Sequence, residues 1–372
     1  MEKRIAMRYH NNCMLTRLCL ALGVFAILSP LLWFVSAQEK TATVAEAVVT
    51  QVTVGAKGGR TVSVHVQSPA QFAGRKYDIV EQAGLSPNSL PVKTGDRVIV
   101  SLSKDPTGRE TVYITDYVRT MPLFVLMGLF VAITLVIAHW HGLRSLVGML
   151  LSFAVIMGFI LPQMIAGSDP VVVTLMGAFL IIPLTFYLSH GSSMKTTVSV
   201  TGTLLALVVT GISAFVFVKG ARLTGFTAEE AYYLQYLKSG ALNIQSLLLA
   251  GIIIGALGVL DDITISQTAI VQKLYAANPK YSLPKLYSEA MSIGRDHIAS
   301  LVNTLILVYT GASLPLLLLF YNTNISYQLV ANQEIIATEI VRTMVSSIGI
   351  ILAVPLTTLL AVIFVQKRLL KA

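Results

Sequence analysis

The chain has 372 residues, 55% hydrophobic and 12% charged, where ordinary soluble domains carry about 25% charged residues. That deficit excludes a soluble chain of this length, and it turns the formal net charge of +9 from a nucleic-acid signal into Lys and Arg flanking membrane spans. Cys13 and Cys19 are the two cysteines, so neither a disulfide framework nor a thiolate metal site is expected, and no cofactor motif is present.

Residues 1–17 carry Lys3, Arg4, Arg8 and Arg17 and lead into an apolar run at 18–37. The run is either a signal peptide ending at Val35-Ser36-Ala37 or an uncleaved membrane anchor. About twenty residues is long for a signal core, which favours the anchor. Residues 40–118 change character: VVTQVTV, RTVSVHV, KYDIV, DRVIVSL and TVYITDY alternate and are separated by Gly, Pro, Asn and Ser. This pattern predicts about five short strands in a small OB-like or SH3-like barrel, with Gly95-Asp96 as a turn.

From Met121 the chain is apolar again. Seven spans are predicted near 121–139, 145–165, 170–189, 198–218, 247–271, 298–320 and 344–365, in a membrane domain over 121–366 that is followed by a basic tail at 367–372. With the first run that makes about eight. The predicted fold class is an all-α polytopic membrane protein carrying a small extracytoplasmic β-barrel-like domain. Placing the N-terminus inside puts Arg144, Lys195, Lys273, Lys280, Lys285, Arg295 and the tail on the cytoplasmic side, while the loop 166–169 has no Lys or Arg. The bias is weakest at the outer loop 219–243, with Lys219, Arg222 and Lys238. The expected setting is a bacterial-type plasma membrane, with both termini cytoplasmic and residues 40–118 outside.

The most informative segment is GALGVLDDITISQ, Gly255 to Gln267, which sets two adjacent carboxylates near the middle of an apolar span. Each costs about 2.5 to 3.5 kcal/mol at a helix centre on an insertion scale, so both need protein or water neighbours. Two carboxylates so close do not both ionise cheaply in low dielectric, and at least one is expected to bind a proton or a cation. Gly251, Gly255, Gly258 and Asp262 fall on one stripe where small residues predict a close helix contact. Asp261 shares its side with Gly258, Thr264 and Thr268. The bland alternative is that Asp261 and Asp262 mark a helix end in cytoplasmic water, but the apolar ITISQTAIVQ carries the helix onward.

The next span has a polar stripe of its own, Asp296, Ser300, Asn303, Leu307 and Thr310, which reads as a neighbour for the acid pair. Between the two spans, SLPKLYSEAMSI predicts an amphipathic helix on the inner membrane surface, capped by Ser282. Asp169 in LPQMIAGSDP reads as a helix cap. His139 and His141 bracket Trp140 as interfacial anchors, without metal-ligand spacing. No P-loop, zinc-protease helix or nucleophile elbow appears, which sets aside a conventional hydrolase or nucleotide-driven pump.

From about Met121 to the C-terminus the chain resembles the YibE/F-like family of bacterial membrane proteins. The resemblance rests on ILPQMIAGSDPVVVTLMGAF, LTGFTAEEAYYLQYL, GALGVLDDITISQ and SIGRDHIASLVNTLILVYTGASLPLLLL. It implies a shared multi-span fold in the lipid bilayer, with a paralogous multi-span subunit as a candidate partner, and assigns no activity. In the family's acid motif a single Asp is typical, so Asp261 and Asp262 both stay open as its equivalent. A weaker analogy links the order of anchor, outer domain, acid helix and Thr/Asn-bearing span to the resistance-nodulation-division transporters and the SecD and SecF export proteins. The leading expectation is a proton- or cation-coupled permease using Asp261, Asp262, Asp296, Asn303 and Thr264. Its rival is a non-transporting scaffold of an envelope complex acting through the outer domain. An intramembrane protease is disfavoured because Asp296 sits near the surface.

Overall fold

The computed structural model describes residues 44–54, 59–81, 90–104, 110–227, 229–237, 242–321 and 325–369. The basic N-terminus at 1–17, the run at 18–37, Lys238 and the last three residues of the tail lie outside the described residues. The chain forms two compact units, divided between His139 and Trp140.

The first unit holds a five-stranded sheet of β1 (Val44–Val54), β2 (Arg60–Ser68), β3 (Lys76–Glu81), β4 (Arg97–Lys104) and β5 (Glu110–Tyr117). The order is β3-β2-β1-β4-β5, and each hydrogen-bonded pair is antiparallel. The two-residue period that predicted the strands also builds the core. Ala45, Ala47 and Val49, then Val62, Val64 and Val66, then Val98, Val100 and Leu102 point to one buried face. The edges β3 and β5 are tied through Glu110, which accepts from the Tyr77 hydroxyl at 3.1 Å and faces Arg75 at 3.5 Å, so the sheet is a half-barrel. Gly95 takes φ +95° in the turn before β4, and Asp96 closes that turn by accepting from the Lys93 N–H at 2.7 Å. Near the end of β5 the Asp116 carboxyl accepts from the Tyr117 N–H at 2.8 Å and pairs with Arg119 at 2.6 Å. These contacts hold it below the usual carboxylate range.

The helices are α1 (Thr120–Val155), a π-turn (Ile156–Ile160), α2 (Leu161–Ile165), α3 (Pro170–His190), α4 (Met194–Gly220), α5 (Glu229–Leu237), α6 (Ile244–Ala277), α7 (Leu283–Ala312), α8 (Leu314–Tyr321), α9 (Tyr327–Ala331) and α10 (Glu334–Leu369). Among the described residues, five helical stretches are long and apolar enough to cross a membrane, or six if α7 and α8, bent by 68°, act as one. The expected count of about eight includes the run at 18–37, outside the described residues, and takes 121–139 and 145–165 as two spans. Both fall in the 46-residue stretch Thr120–Ile165, which is two helices joined across a kink. His139 interrupts it with φ 48° and ψ −127°, a backbone conformation that non-glycine residues rarely adopt.

A second difference concerns α7. The segment expected to lie alone on the membrane surface is the first half of that helix, because Leu286 and Ala290 are fully buried against Val198, Val271, Ala361 and Val362. Gly294 lets α7 approach α10 and α6: a Cβ there would sit 2.6 Å from Val354 Cγ1 and 3.0 Å from Gln267 Nε2. The centre of the second unit is α4, α6 and α10, each packed on the other two, with α3 on α4 and α6 and α7 on α6 and α10.

Candidate functional site: a carboxylate at an interhelical cavity

Asp261 sits mid-way along α6 with its Oδ1 buried and without a hydrogen-bond partner. Together with Ile253, Ile254, Leu257 and Gly258 of the same helix, it lines a cavity of about 170 Å³. The opposite walls are Ser152 of α1, Ile156 and Ile160 of the π-turn, and Thr174, Ala178 and Ile181 of α3. Thr174 Oγ1 is also buried and unpartnered, so two unsatisfied polar atoms belong to residues lining this cavity. Ser152 donates to Gly148 O at 3.1 Å and is satisfied by its own helix. The rest of the lining is alkyl.

The wall is shaped by the π-turn. A π-turn adds one residue to the helical repeat and is found mostly as a single turn at functional sites. Here it aims Ile160 at Gly177, where a Cβ would clash with the isoleucine side chain, and so α3 closes on the turn. Asp169 caps α3 as expected, accepting from the N–H groups of Val171 and Val172 at 2.9 and 3.1 Å. Its other oxygen accepts from Ser246 at the start of α6 at 3.1 Å, which ties together the two helices that hold Thr174 and Asp261.

Behind Asp261, α6 meets α4 through hydroxyls. Thr203 and Thr264 are 2.7 Å apart, Ser199 donates to Thr268 at 3.0 Å, and Thr264 bonds the Asp261 carbonyl at 3.2 Å. Gln267 is fully buried and donates to Ala290 O of α7 at 3.0 Å and to Thr358 Oγ1 of α10 at 2.7 Å. These bonds fix the rotation of α6 about its own axis. Asp261 thereby faces the α3 side, and Thr264 faces α4.

The sequence-predicted residues separate accordingly. Asp261 and Gly258 meet at the cavity, and Thr264 joins the hydroxyl ladder. Asp262 is on the exposed side of α6, in electrostatic range of His190 and His297. Among the described residues, Gly251, Gly255 and Gly258 are not at a tight helix contact. An added Cβ would meet Arg342 Nη1 at 3.9 Å, the Tyr309 hydroxyl at 3.5 Å, and nothing within 4 Å, respectively. The close approaches are at Gly177, Gly202, Gly294 and Gly349 instead. Asp296 and Asn303 lie on the exposed face of α7. Among the described residues no three His, Cys, Asp or Glu side chains converge as metal ligands.

Sequence reasoning missed Thr174, the π-turn and Gln267. Thr174 is the one polar residue in VVVTLMGAF and shares a helix face with Ala178 and Ile181, which was a usable signal; the π-turn has none. It also missed a clamp at the far end of the bundle. The Glu334 carboxylate accepts from the Thr224 N–H at 2.6 Å, the Thr224 hydroxyl at 2.8 Å and the Gly225 N–H at 2.8 Å. Gly225, at φ +89°, lies so close to Ile244 O that a Cβ would fall 2.7 Å from it. These contacts account for the Leu-Thr-Gly-Phe motif by packing.

No curated protein and no solved structure matches the chain. One family model does, described as YibE/F-like protein, and it extends from near the start of the first long helix, through the π-turn, Thr174 and Asp261, to the end of α10. Matched over residues 126–367, the chain belongs to the YibE/F-like family.

Proposed function

We propose that the protein is a multi-pass membrane protein that couples proton movement to transport, with Asp261 as the carboxyl that takes up and releases the proton. One observation carries the reading: a carboxylate oxygen without a partner, inside an apolar span, at a cavity large enough for several waters. A chain keeps such a group at a cost of about 2.5 to 3.5 kcal/mol, and a group that must change its protonation state is a reason to keep it. A metal ion is a poorer fit than a proton. Hard cations take about six or more oxygen ligands, and this lining offers Asp261, Thr174 and Ser152 among alkyl side chains. Asp262, on the adjoining, exposed face of the helix, serves the mechanism less directly.

The test needs no substrate. In purified protein in lipid vesicles, carbodiimide reacts with a protonated carboxyl, so labelling at Asp261 should fall as pH rises, and proton flux read by an enclosed dye should vanish in Asp261→Asn with protein abundance kept. Asn retains the shape and much of the hydrogen bonding but cannot carry the proton. Normal flux in the Asp261→Asn, Asp262→Asn double variant would sink the proposal. Tolerance of Asn with loss of folded protein in Asp261→Leu would favour the scaffold reading, in which the acid is an interhelical hydrogen-bonding group.

A further inference from the structure

The stripe Asp296, Ser300, Asn303, Leu307 and Thr310 has successive spacings of four, three, four and three. That is the 3.5-residue repeat of a helix that winds left-handed around another helix. All five residues are exposed in the chain, and Leu307 is 62% exposed. The buried side of α7 is a different one, made by Leu286, Ala290, Gly294 and Leu305. The seam therefore runs down the face pointing away from the bundle. Thr304 beside it is satisfied by its own helix, donating to Ser300 O at 2.9 Å, whereas the side chains of Ser300 and Asn303 have no hydrogen bond among the described residues.

Lipid is a poor neighbour for this face. A carboxamide in hydrocarbon leaves two donors and an acceptor unmet, at a cost of several kcal/mol. We propose that two copies of this chain pair in the membrane along α7, in parallel and about a two-fold axis, with these five residues as the seam. The proposal rests on the membrane setting given above but is independent of Asp261.

Three features select a second copy as the occupant. Two identical chains inserted by the same flanking charges are parallel, so each seam residue meets its own counterpart at the same depth. Asn, Ser and Thr each donate and accept, so Asn303 satisfies Asn303 of the other copy, and the hydroxyls do likewise. Arg295 and Asp296 are adjacent and both exposed, which offers each Asp296 the Arg295 of the other copy in place of a like charge.

The test is cysteine crosslinking of the full-length chain in native membranes. Cys13 and Cys19 are the two native cysteines, so a Cys13→Ser, Cys19→Ser background leaves single cysteines at Ser300, Asn303, Leu307 or Thr310 as the only thiols. Val308 is the control, because it is 59% exposed but turned about 100° from Leu307. Oxidation should give a band at twice the monomer mass for the seam positions, at least about tenfold more than for Val308. Equal crosslinking at Val308, a product with a different protein, or no dimer at any seam position would overturn the pairing. So would an internal disulfide between Cys19, when restored, and a cysteine at Asn303, which would assign the face to residues 18–37. Loss of proton flux in Asp261→Asn leaves the crosslinks in place, so the two proposals fail separately.

Discussion

Gly294→Ala is the sharpest test of the packing in the second unit. The new methyl carbon would stand 2.6 Å from Val354 Cγ1 and about 3 Å from both polar atoms of the Gln267 amide. Carbon atoms in ordinary contact are about 3.5 to 4.0 Å apart, so α7 must move away from α10 by about 1 Å or the side chains must leave their rotamers. Overpacking of this kind costs about 1 to 3 kcal/mol. Displacing the Gln267 amide from Ala290 O and Thr358 Oγ1 would leave buried groups unpaired for about another 1 to 3 kcal/mol. A total near 2 to 5 kcal/mol corresponds to a fall in melting temperature on the order of 5 to 15 °C for a unit of this size. Thermal unfolding of detergent-purified protein, followed by size-exclusion recovery, measures it. Because Val354 Cγ1 is the nearest obstacle, Gly294→Ala combined with Val354→Ala should be less destabilised than the sum of the single changes by about 1 kcal/mol or more. A single variant that melts within about 2 °C of the parent, or a strictly additive pair, would refute the argument.

Gly258→Ala provides the contrast: its Cβ meets nothing within 4 Å, so it should melt with the parent or slightly above it, given a helix-propensity gain of up to about 1 kcal/mol. Residues 40–118 expressed alone should be soluble with a β-type circular dichroism spectrum, since the buried core of the sheet comes from its own strands and the loop at Val92; a helical spectrum would contradict that. In the same fragment extended to residue 120, Asp116 should titrate below an ordinary aspartate by NMR, because the Tyr117 N–H and Arg119 favour its charged form. Its folded value is depressed, so its stabilising effect is full above the unfolded value of about 3.9 and is lost as pH falls through the folded value. Reporter fusions after Glu110 and near Asn332 should read outside, and those near Pro284 and at Ala372 inside; an inside reading at Glu110 would overturn the orientation derived from the Lys and Arg distribution.

Apolar runs near twenty residues and strict alternation are strong signals, and they placed the sheet and the helices α3, α4 and α6 to within about six residues, while α7 and α10 begin ten or more residues earlier than their apolar runs. What stayed illegible was the direction each polar face points. The stripe on α7 states that Asp296, Ser300 and Asn303 avoid lipid, but not which neighbour they meet. The Gly251, Gly255 and Gly258 spacing likewise permits a close contact without requiring one. The extra length of α7 was hidden because Ser282 and Pro284 mark a helix start and nothing marks a stop; Gly294, an apparent weak point, is there to admit Val354 and Gln267. The acid pair was visible at once, and separating Asp261 from Asp262 required the rotation of α6 set by Gln267, Thr264 and Thr268.

The clamp at Glu334 bears on how the bundle can move. One carboxylate joins the loop after α4 to the first turn of α10, and Gln245 at the start of α6 donates to Leu223 O in that loop. The three central helices are thus pinned together at one end, which makes that end a fulcrum. Asp261 lies seventeen residues beyond Ile244, about 26 Å along the axis of α6. A tilt of about 10° about the pinned end would carry Asp261 sideways by roughly 4 to 5 Å on that lever arm, comparable to the width of the cavity it lines. The same tilt would barely displace Ser246 or Asp169 near the fulcrum.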